Sequence, residues 1–386
     1  MSASAREIAS DAERVAALRL ARSGEIGPIT FRNLIERFGS ALAAISELPS
    51  LATHGGRAGQ IRLAAVDQAE RELETARAFG AEMLICGEIG YPKLLAASEG
   101  APSVIFVRGV MHSLAMPAIA IVGARNASAN GRKLAEALAA GLGARGTAIV
   151  SGLARGIDAA AHRGALKTGT LAVIAGGIDQ IYPEEHAELY EAICETGLII
   201  SEMPFGHIAR AQDFPRRNRI IAGLARGTIV VEAAERSGSL ITARLAGEMG
   251  REVFAVPGSP LDARCRGTNG LLKEGAILVE NVEDILANLP EQIAEPVFPL
   301  LSPSSVRSTN RPTPRRADPK PVPRVDPLPL ASTLLELLGP SPVSIDELVR
   351  QTEATASDIQ TALLELEIEG LILRLPGQMV SRARQD

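Results

Sequence analysis

The sequence predicts an α/β protein: an extended, Rossmann-like doubly wound sheet, preceded by a small helical domain and followed by a winged helix. Two observations carry this. From about residue 81 to 289, short β-rich apolar runs alternate with longer helical stretches, the pattern of parallel strands buried on both faces. Beyond a proline-rich interruption at 296–329, a pattern of three helices and a hairpin follows. The 386 residues allow two or three domains, at roughly 150 residues per domain.

Composition narrows the function. Hydrophobic residues make up 46% and charged residues 22%, ordinary for a globular chain. Aromatic residues are only 3%, Trp is missing, and the net charge is −5. A globally basic nucleic-acid binder is excluded, and so is one relying on many stacking platforms. Cys86, Cys194 and Cys265 lack CxxC spacing, so neither a zinc site nor a disulfide framework is expected. No apolar run of about 18 residues exists, and residues 1–22 carry interspersed charges where a signal peptide has an apolar core. The expectation is a soluble cytoplasmic protein with no membrane insertion, no metal and no cofactor.

At the front, residues 1–80 read as a helical domain of SAM or helix-hairpin-helix type. Gly27-Pro28 suits a helix start, and Gly39 closes the helix that follows. Such a turn can offer backbone N–H groups to phosphate. A plain helical turn is the alternative, since this segment carries ten bases and ten acids.

The sheet domain, 81–295, has strand candidates at 118–122, 147–151, 170–175, 198–201, 228–232 and 252–256. Ligands of such sheets bind beyond the carboxyl ends of the strands. After the first strand, Gly123 to Gly131 occupies the phosphate-loop position but lacks GxGxxG spacing, and no Walker A lysine follows. Dinucleotide and ATP sites are thereby disfavoured. Arg125 and Ser128 beside a helix start suit phosphate instead, with a plain salt bridge as the alternative. The second strand ends in Ser151-Gly152, followed by Arg155, Gly156, Asp158 and His162. Asp158 and His162 lie four apart on one helix face, where they can pair and orient the loop. The third ends in Gly176-Gly177, which reads as close backbone approach, followed by Asp179 and by Tyr182, a residue placed either to stack on a base or to plug the core. Arg216, Arg217, Asn218 and Arg219 at a helix start form the densest basic cluster of the fold. The fifth strand ends at Glu232, and Ser237-Gly238-Ser239 then forms an anion nest at another helix start. No GxSxG elbow, HExxH motif or Cys–His nucleophile pair is present, so no catalytic residue is assigned. A row of Gly, Ser and Arg at successive strand ends points to a polyanion or an extended nucleotide.

The segment 296–329 holds ten prolines, six Lys or Arg and two acids, and reads as an extended linker with a possible weak attraction for DNA. In 330–386, Ser344 and Glu347 form a capping box, and Pro376-Gly377 turns a hairpin. This domain has nine acids and four bases after residue 330. Carboxylates at Asp358, Glu365, Glu367 and Glu369 on its third helix would repel phosphate, so a protein-contact or packing role is favoured over duplex reading.

The strings GARNAS (123–128), SGLARGIDAAAH (151–162), GGIDQIYP (176–183), FPRRNRIIAGL (214–224), SGSLIT (237–242) and VPGS (256–259), with Tyr91-Pro92 and Leu94-Leu95, resemble the DNA-processing protein A family (DprA, or Smf). The resemblance spans the whole chain. It implies a bacterial, non-enzymatic protein that binds and protects single-stranded DNA and loads the RecA recombinase onto it during natural transformation. It further implies that Arg125 is the DNA-binding arginine, with Arg217, Asn218, Arg219 and the Ser237-Gly238-Ser239 loop in one pocket. Residues Asn269, Leu271, Leu272 and Leu278 fall in the region of homodimerisation and recombinase contact. Glu184-Glu185 stand where some relatives have a DNA-binding lysine, and Arg210 or Arg216 is the candidate compensation. A nucleotide (phosphoribosyl) hydrolase using Glu232, and a duplex-binding winged-helix regulator, are the alternatives. Low aromatic content then implies grip through phosphates with little base stacking.

Overall fold

A computed structural model describes residues 9–54, 62–289, 327–338, 342–352, 354–375 and 377–383. The expected linker lies almost wholly outside the described residues. The chain divides into two compact units, at 1–289 and 290–386.

The first unit opens with four helices, α1 (Asp11–Ala21), α2 (Pro28–Phe38), α3 (Ala41–His54) and α4 (Val66–Ala78). Pro28 takes the first position of α2, where its missing N–H costs nothing. Gly39 ends that helix in the left-handed conformation, φ 85°.

The core is a nine-stranded sheet. Its elements in chain order are β1 (Glu82–Ile85), α5 (Lys93–Ala96), β2 (Val104–Gly109), β3 (Ala118–Val122), α6 (Ala129–Gly143), β4 (Ala148–Ser151), α7 (Ile157–Ala165) and β5 (Thr170–Val173). Then come α8 (Ala187–Thr196), β6 (Leu198–Ser201), α9 (Asp213–Leu224), β7 (Gly227–Val230), α10 (Gly238–Glu248), β8 (Glu252–Ala255), α11 (Arg266–Lys273), β9 (Ile277–Leu278) and α12 (Val282–Ala287). The spatial order is β1-β2-β6-β5-β4-β3-β7-β8-β9. From β6 through to β9 all pairings are parallel, while β2 pairs antiparallel with both β1 and β6. The chain winds outward from β3 through β4, β5 and β6, then returns to the other side of β3 as β7. The β3–β7 junction is therefore the switch point, where doubly wound sheets open a ligand crevice.

Strand alternation sends β3 side chains to two cores. Ile119 and Ile121 pack with α6 and α7, whereas Ala118, Ala120 and Val122 pack with Ile220, Ile221 and Leu224 of α9. The six anticipated strands are all present, within two residues at each end. The sheet is wider than anticipated: β1, β2 and β9 extend its edges. Tyr91 is buried and donates to the Pro102 carbonyl (2.8 Å), and Leu95 packs in the same core as α9.

The second unit is a winged helix of α13 (Pro327–Leu337), β10 (Val343–Ser344), α14 (Ile345–Thr352), α15 (Ala356–Ile368), β11 (Ile372–Leu375) and β12 (Met379–Arg382). Helix α13 begins inside the segment read as linker. Prolines are tolerated in a first turn, whose N–H groups have no intrahelical partner. The Ser344 hydroxyl accepts from the Glu347 N–H (3.3 Å), and β12 pairs with both β10 and β11. Of the domain's few bases, Arg374 is tied to Glu367 (3.1 Å).

Candidate nucleic-acid interface

A cleft of about 700 Å³ opens at the β3–β7 switch point. Its walls come from the loop after β3 (Gly123, Arg125), from Asp158 on α7, from Phe214, Arg217 and Asn218 on α9, and from Arg236 to Ser239 at the start of α10. Seven residues anticipated as ligand contacts thus line it together: Gly123, Arg125, Arg217, Asn218, Ser237, Gly238 and Ser239.

The cations of this region differ sharply in what they touch. Arg125 is exposed, and its guanidinium lies over the Phe214 ring at 5.1 Å, with no carboxylate partner among the described residues. Arg236 is likewise exposed and free of ion pairs there. Arg264 also lines the cleft, but Asp262 holds it by a forked pair (2.7 Å). Arg217 is only 6% exposed, and its Nη1 donates to the carbonyls of Gly152 (2.5 Å) and Val173, so it ties together the ends of β4 and β5. Burial pulls its pKa down to about 10, opposed by Asp158 and reinforced by Arg125. Asp158 accepts from the N–H groups of Gly152 (3.2 Å) and Ala154 (3.4 Å), and burial raises its carboxyl against the pull of Arg217.

The basic cluster of α9 does not act as one. Helical rotation of about 100° per residue turns Arg216 and Arg219 away from Arg217. Both reach Glu202, and Arg219 also donates to the Gly100 carbonyl. Glu202 in turn sits in a seam with the helical domain: Arg22 donates to its carbonyl (3.2 Å) and pairs with Glu72 of α4 (2.7 Å). These arginines serve cohesion between the helices and the sheet.

The start of α6, the phosphate-loop position, already holds an anion. The Glu232 carboxylate accepts from the Ser128 N–H (2.8 Å) and from the Ser128 hydroxyl (2.6 Å), and Ser128 caps Gly131 (2.9 Å). Glu232 adopts φ 150°, a region that side chains rarely take, and a Cβ at Gly131 would lie 2.6 Å from its carboxylate. Glu232 therefore occupies the place of a phosphate instead of facing the cleft.

The other anticipated residues are distributed around the rim and beneath it. Ser151 donates to the Ile121 carbonyl (2.6 Å). Gly156 takes φ 78° against the Ala124 and Arg125 carbonyls, a contact no side chain could share, so it locks the loop carrying Arg125. Arg155 pairs with Glu185 (2.8 Å), the acid that follows Tyr182-Pro183. The close approach at Gly176-Gly177 is made by the chain itself: Gly177 donates to the His207 carbonyl (2.8 Å), and Asp179 accepts from Gly206 (2.8 Å). Tyr182 is 57% exposed and meets Phe214 edge-on at 5.7 Å, so it does not plug the core.

One expectation is corrected. Asp158 and His162 do not pair. His162 Nδ1 meets the Thr170 hydroxyl (2.7 Å), which itself donates to the Ile149 carbonyl (2.9 Å), so Nδ1 is the protonated nitrogen. Spacing on a helix face brought the two near one side, but the strand-end N–H groups and Thr170 were the better partners. Asn269 binds the Gly258 loop through both amide atoms, Leu271 and Leu272 are half-buried, and Leu278 on the sheet edge is 47% exposed. Arg236, Arg264 and Phe214 were not singled out from sequence. Arg236 directly precedes the cap of α10, a position that could have marked it, whereas nothing local marks Arg264.

Fold and site together define a Rossmann-type α/β protein with a cationic switch-point cleft, carrying helical and winged-helix appendages. No described helix is long and apolar enough to cross a membrane. The chain belongs to the DNA recombination-mediator protein A family, whose model matches residues 82–290. Residues 11–75 match the DprA-like N-terminal HHH domain, and 318–378 the DprA winged helix domain. Protein Smf of Escherichia coli (strain K12) is 39% identical over 297 residues, covering 76% of this chain and 75% of that protein. DNA processing protein DprA of Streptococcus pneumoniae is 47% identical over 199 residues, 51% of this chain and 70% of that one. The crystal structure of S. pneumoniae DprA covers 74% of this chain and 100% of its own, at 34% identity and a TM-score of 0.61. A Helicobacter pylori DprA structure, described for its single-stranded DNA binding mode, covers 54% of this chain and 95% of its own, at 30% identity and a TM-score of 0.50.

Proposed function

We propose that this chain binds single-stranded DNA in the switch-point cleft, protects it, and delivers it to the RecA recombinase during DNA uptake and recombination, without catalytic turnover. The observation that carries this reading is that Arg125 and Arg236, both exposed and without a carboxylate partner among the described residues, line one cleft with the start of α10. Arg125 and Arg236 contact phosphates, while Asn218 and the Ser237-Gly238-Ser239 turn supply neutral donors. Arg217 positions the strand ends beneath them. Phe214 and Tyr182 add one aromatic platform at the rim, so base stacking contributes locally and without sequence preference. Self-association through the sheet edge near Leu278, with the half-buried Leu271 and Leu272, would set two clefts side by side for the recombinase.

The nucleotide-hydrolase alternative takes Glu232 as its acid, and that carboxylate is engaged on the Ser128 N–H and hydroxyl. The test is fluorescence anisotropy of an oligothymidylate across a salt titration. Arg125→Ala is expected to weaken binding about tenfold and to flatten the log–log salt slope by about 0.7, the counterion release of one single-strand phosphate contact. Wild-type affinity and slope in this variant would remove the cleft assignment.

A further inference from the structure

Glu232 reaches from one wall of the switch-point cleft to the other. It stands just past β7, directly after Val231, whose N–H donates to the Val122 carbonyl at the end of β3 (3.1 Å). Its carboxylate then crosses to the loop after β3, where it accepts from the Ser128 N–H (2.8 Å) and hydroxyl (2.6 Å). That loop carries Arg125, and the turn that follows Glu232 carries Arg236. One side chain thus ties together the two arms that bear the exposed arginines, while neither Glu232 nor Ser128 lines the cleft itself.

The backbone accepts strain to keep this carboxylate in place. Glu232 holds φ 150°, a conformation that glycine takes freely and other residues rarely do. Gly131 leaves room for it, since a Cβ there would lie 2.6 Å from the carboxyl carbon. Each arm has a further anchor on its own side: the Ala124 carbonyl accepts from the Ile157 N–H (3.2 Å), and the Ala233 carbonyl from the Gly267 N–H (2.8 Å). Between its anchor and the carboxylate, the first arm exposes Arg125 and Asn126. Charge argues against an acid here. Glu232 brings a negative charge close to a site for a polyanion, and that charge reaches Arg264 on the cleft wall, whose guanidinium is held above its ordinary pKa by Asp262 first and by Glu232 further. A carboxylate kept against both strain and charge serves geometry.

We propose that Glu232 is a positioning residue of the strand-binding cleft: without touching DNA, it holds the Arg125 arm and the Arg236 arm at the separation at which both reach phosphates of one strand. This rests on the reading that the cleft binds single-stranded DNA. The sign of its effect is the reverse of what charge alone gives. Removing an acid near phosphates raises affinity about two- to threefold where only charge matters, whereas loss of the clamp lowers it. Gln at this position keeps the length and both contacts, since its amide oxygen accepts from the Ser128 N–H and its NH2 donates to the Ser128 hydroxyl oxygen.

The experiment measures oligothymidylate affinity of the full chain by anisotropy, on Glu232→Ala, Glu232→Gln, Arg125→Ala and the double variant Arg125→Ala/Glu232→Ala. Glu232→Ala is expected to bind about fivefold more weakly, and Glu232→Gln within about twofold of wild type. Beside Arg125→Ala the loss from Glu232→Ala is expected to vanish, because no second arginine remains to be aligned. Wild-type or tighter binding by Glu232→Ala would overturn the inference. So would a loss that persists undiminished beside Arg125→Ala, as a general weakening of the fold gives. Where Glu232→Ala does not fold, Ser128→Ala carries the same test, since it keeps the charge and the N–H contact and removes only the hydroxyl. An about two- to threefold loss that vanishes beside Arg125→Ala is expected of it, and wild-type affinity or a persisting loss would overturn the clamp. Arg125→Ala alone separates this inference from the reading beneath it. Wild-type binding by Arg125→Ala removes the cleft assignment, whereas weakened binding there with none in Glu232→Ala leaves the cleft and removes the clamp.

Discussion

Two neighbouring regions of this molecule treat their arginines in opposite ways. Around β4, β5 and the start of α9, Arg155, Arg216 and Arg219 each face a carboxylate, and Arg217 is buried on two carbonyls. Around the β3–β7 junction, Arg125 and Arg236 stand exposed without one. The first set fixes loops and joins the helical domain to the sheet; the second leaves positive potential for a ligand. Counting basic residues along the chain does not separate these roles, because neutralisation is set by acids distant in sequence. Glu202 and Glu185 decide the matter more than the arginines do.

The contrast can be broken most severely at Arg217. Arg217→Ala removes both carbonyl contacts and leaves Asp158 buried without its nearby cation, and is expected to lower stability by about 3 kcal/mol. Denaturant unfolding measures it; a variant as stable as wild type would mean that Arg217 is available to ligand after all. Per unit of pH, a smaller effect comes from His162 beneath the same region. Burial, with Arg217 and His186 nearby, pulls its pKa down to about 3. The unfolded chain takes up this proton near pH 6.5 and the folded chain does not, so stability is full above pH 6.5 and falls as pH drops toward 3. The expected slope is about 1.4 kcal/mol per pH unit in that window. His162→Asn should flatten the slope in a pH series of unfolding curves, and an unchanged slope would show that other groups dominate it. The smallest effect sits at the rim. Glu185→Ala releases Arg155, converting a paired arginine into a free one, and is expected to raise single-strand affinity about two- to threefold. No gain in anisotropy titrations would mean that the strand does not pass Arg155.

Much of the fold was legible because buried parallel strands are continuous apolar runs; 198–201 matched its strand residue for residue. Strands β1 and β2 escaped because their antiparallel pairing with each other and with β6 is non-local, and β9 has only two residues. The site was partly legible for the same local reason: Gly, Ser and Arg at helix starts mark strand-end loops. What each loop approaches was not. Gly176-Gly177 has the look of a ligand contact and receives His207 instead, and the phosphate position before α6 is filled by Glu232, whose carboxylate comes from over a hundred residues further along the chain. The low aromatic content pointed to phosphate grip, yet two of the aromatics, Tyr182 and Phe214, meet at the rim beside Arg125.

The central claim is that unpaired arginines at the switch point bind the strand while paired ones on α9 do not. Parallel salt titrations of Arg125→Ala and Arg216→Ala on one oligothymidylate test it directly, since both side chains are exposed enough to remove without harming the core. The account predicts a salt slope shallower by about 0.7 for Arg125→Ala and a wild-type slope for Arg216→Ala. A lost slope in Arg216→Ala with a wild-type Arg125→Ala would contradict it.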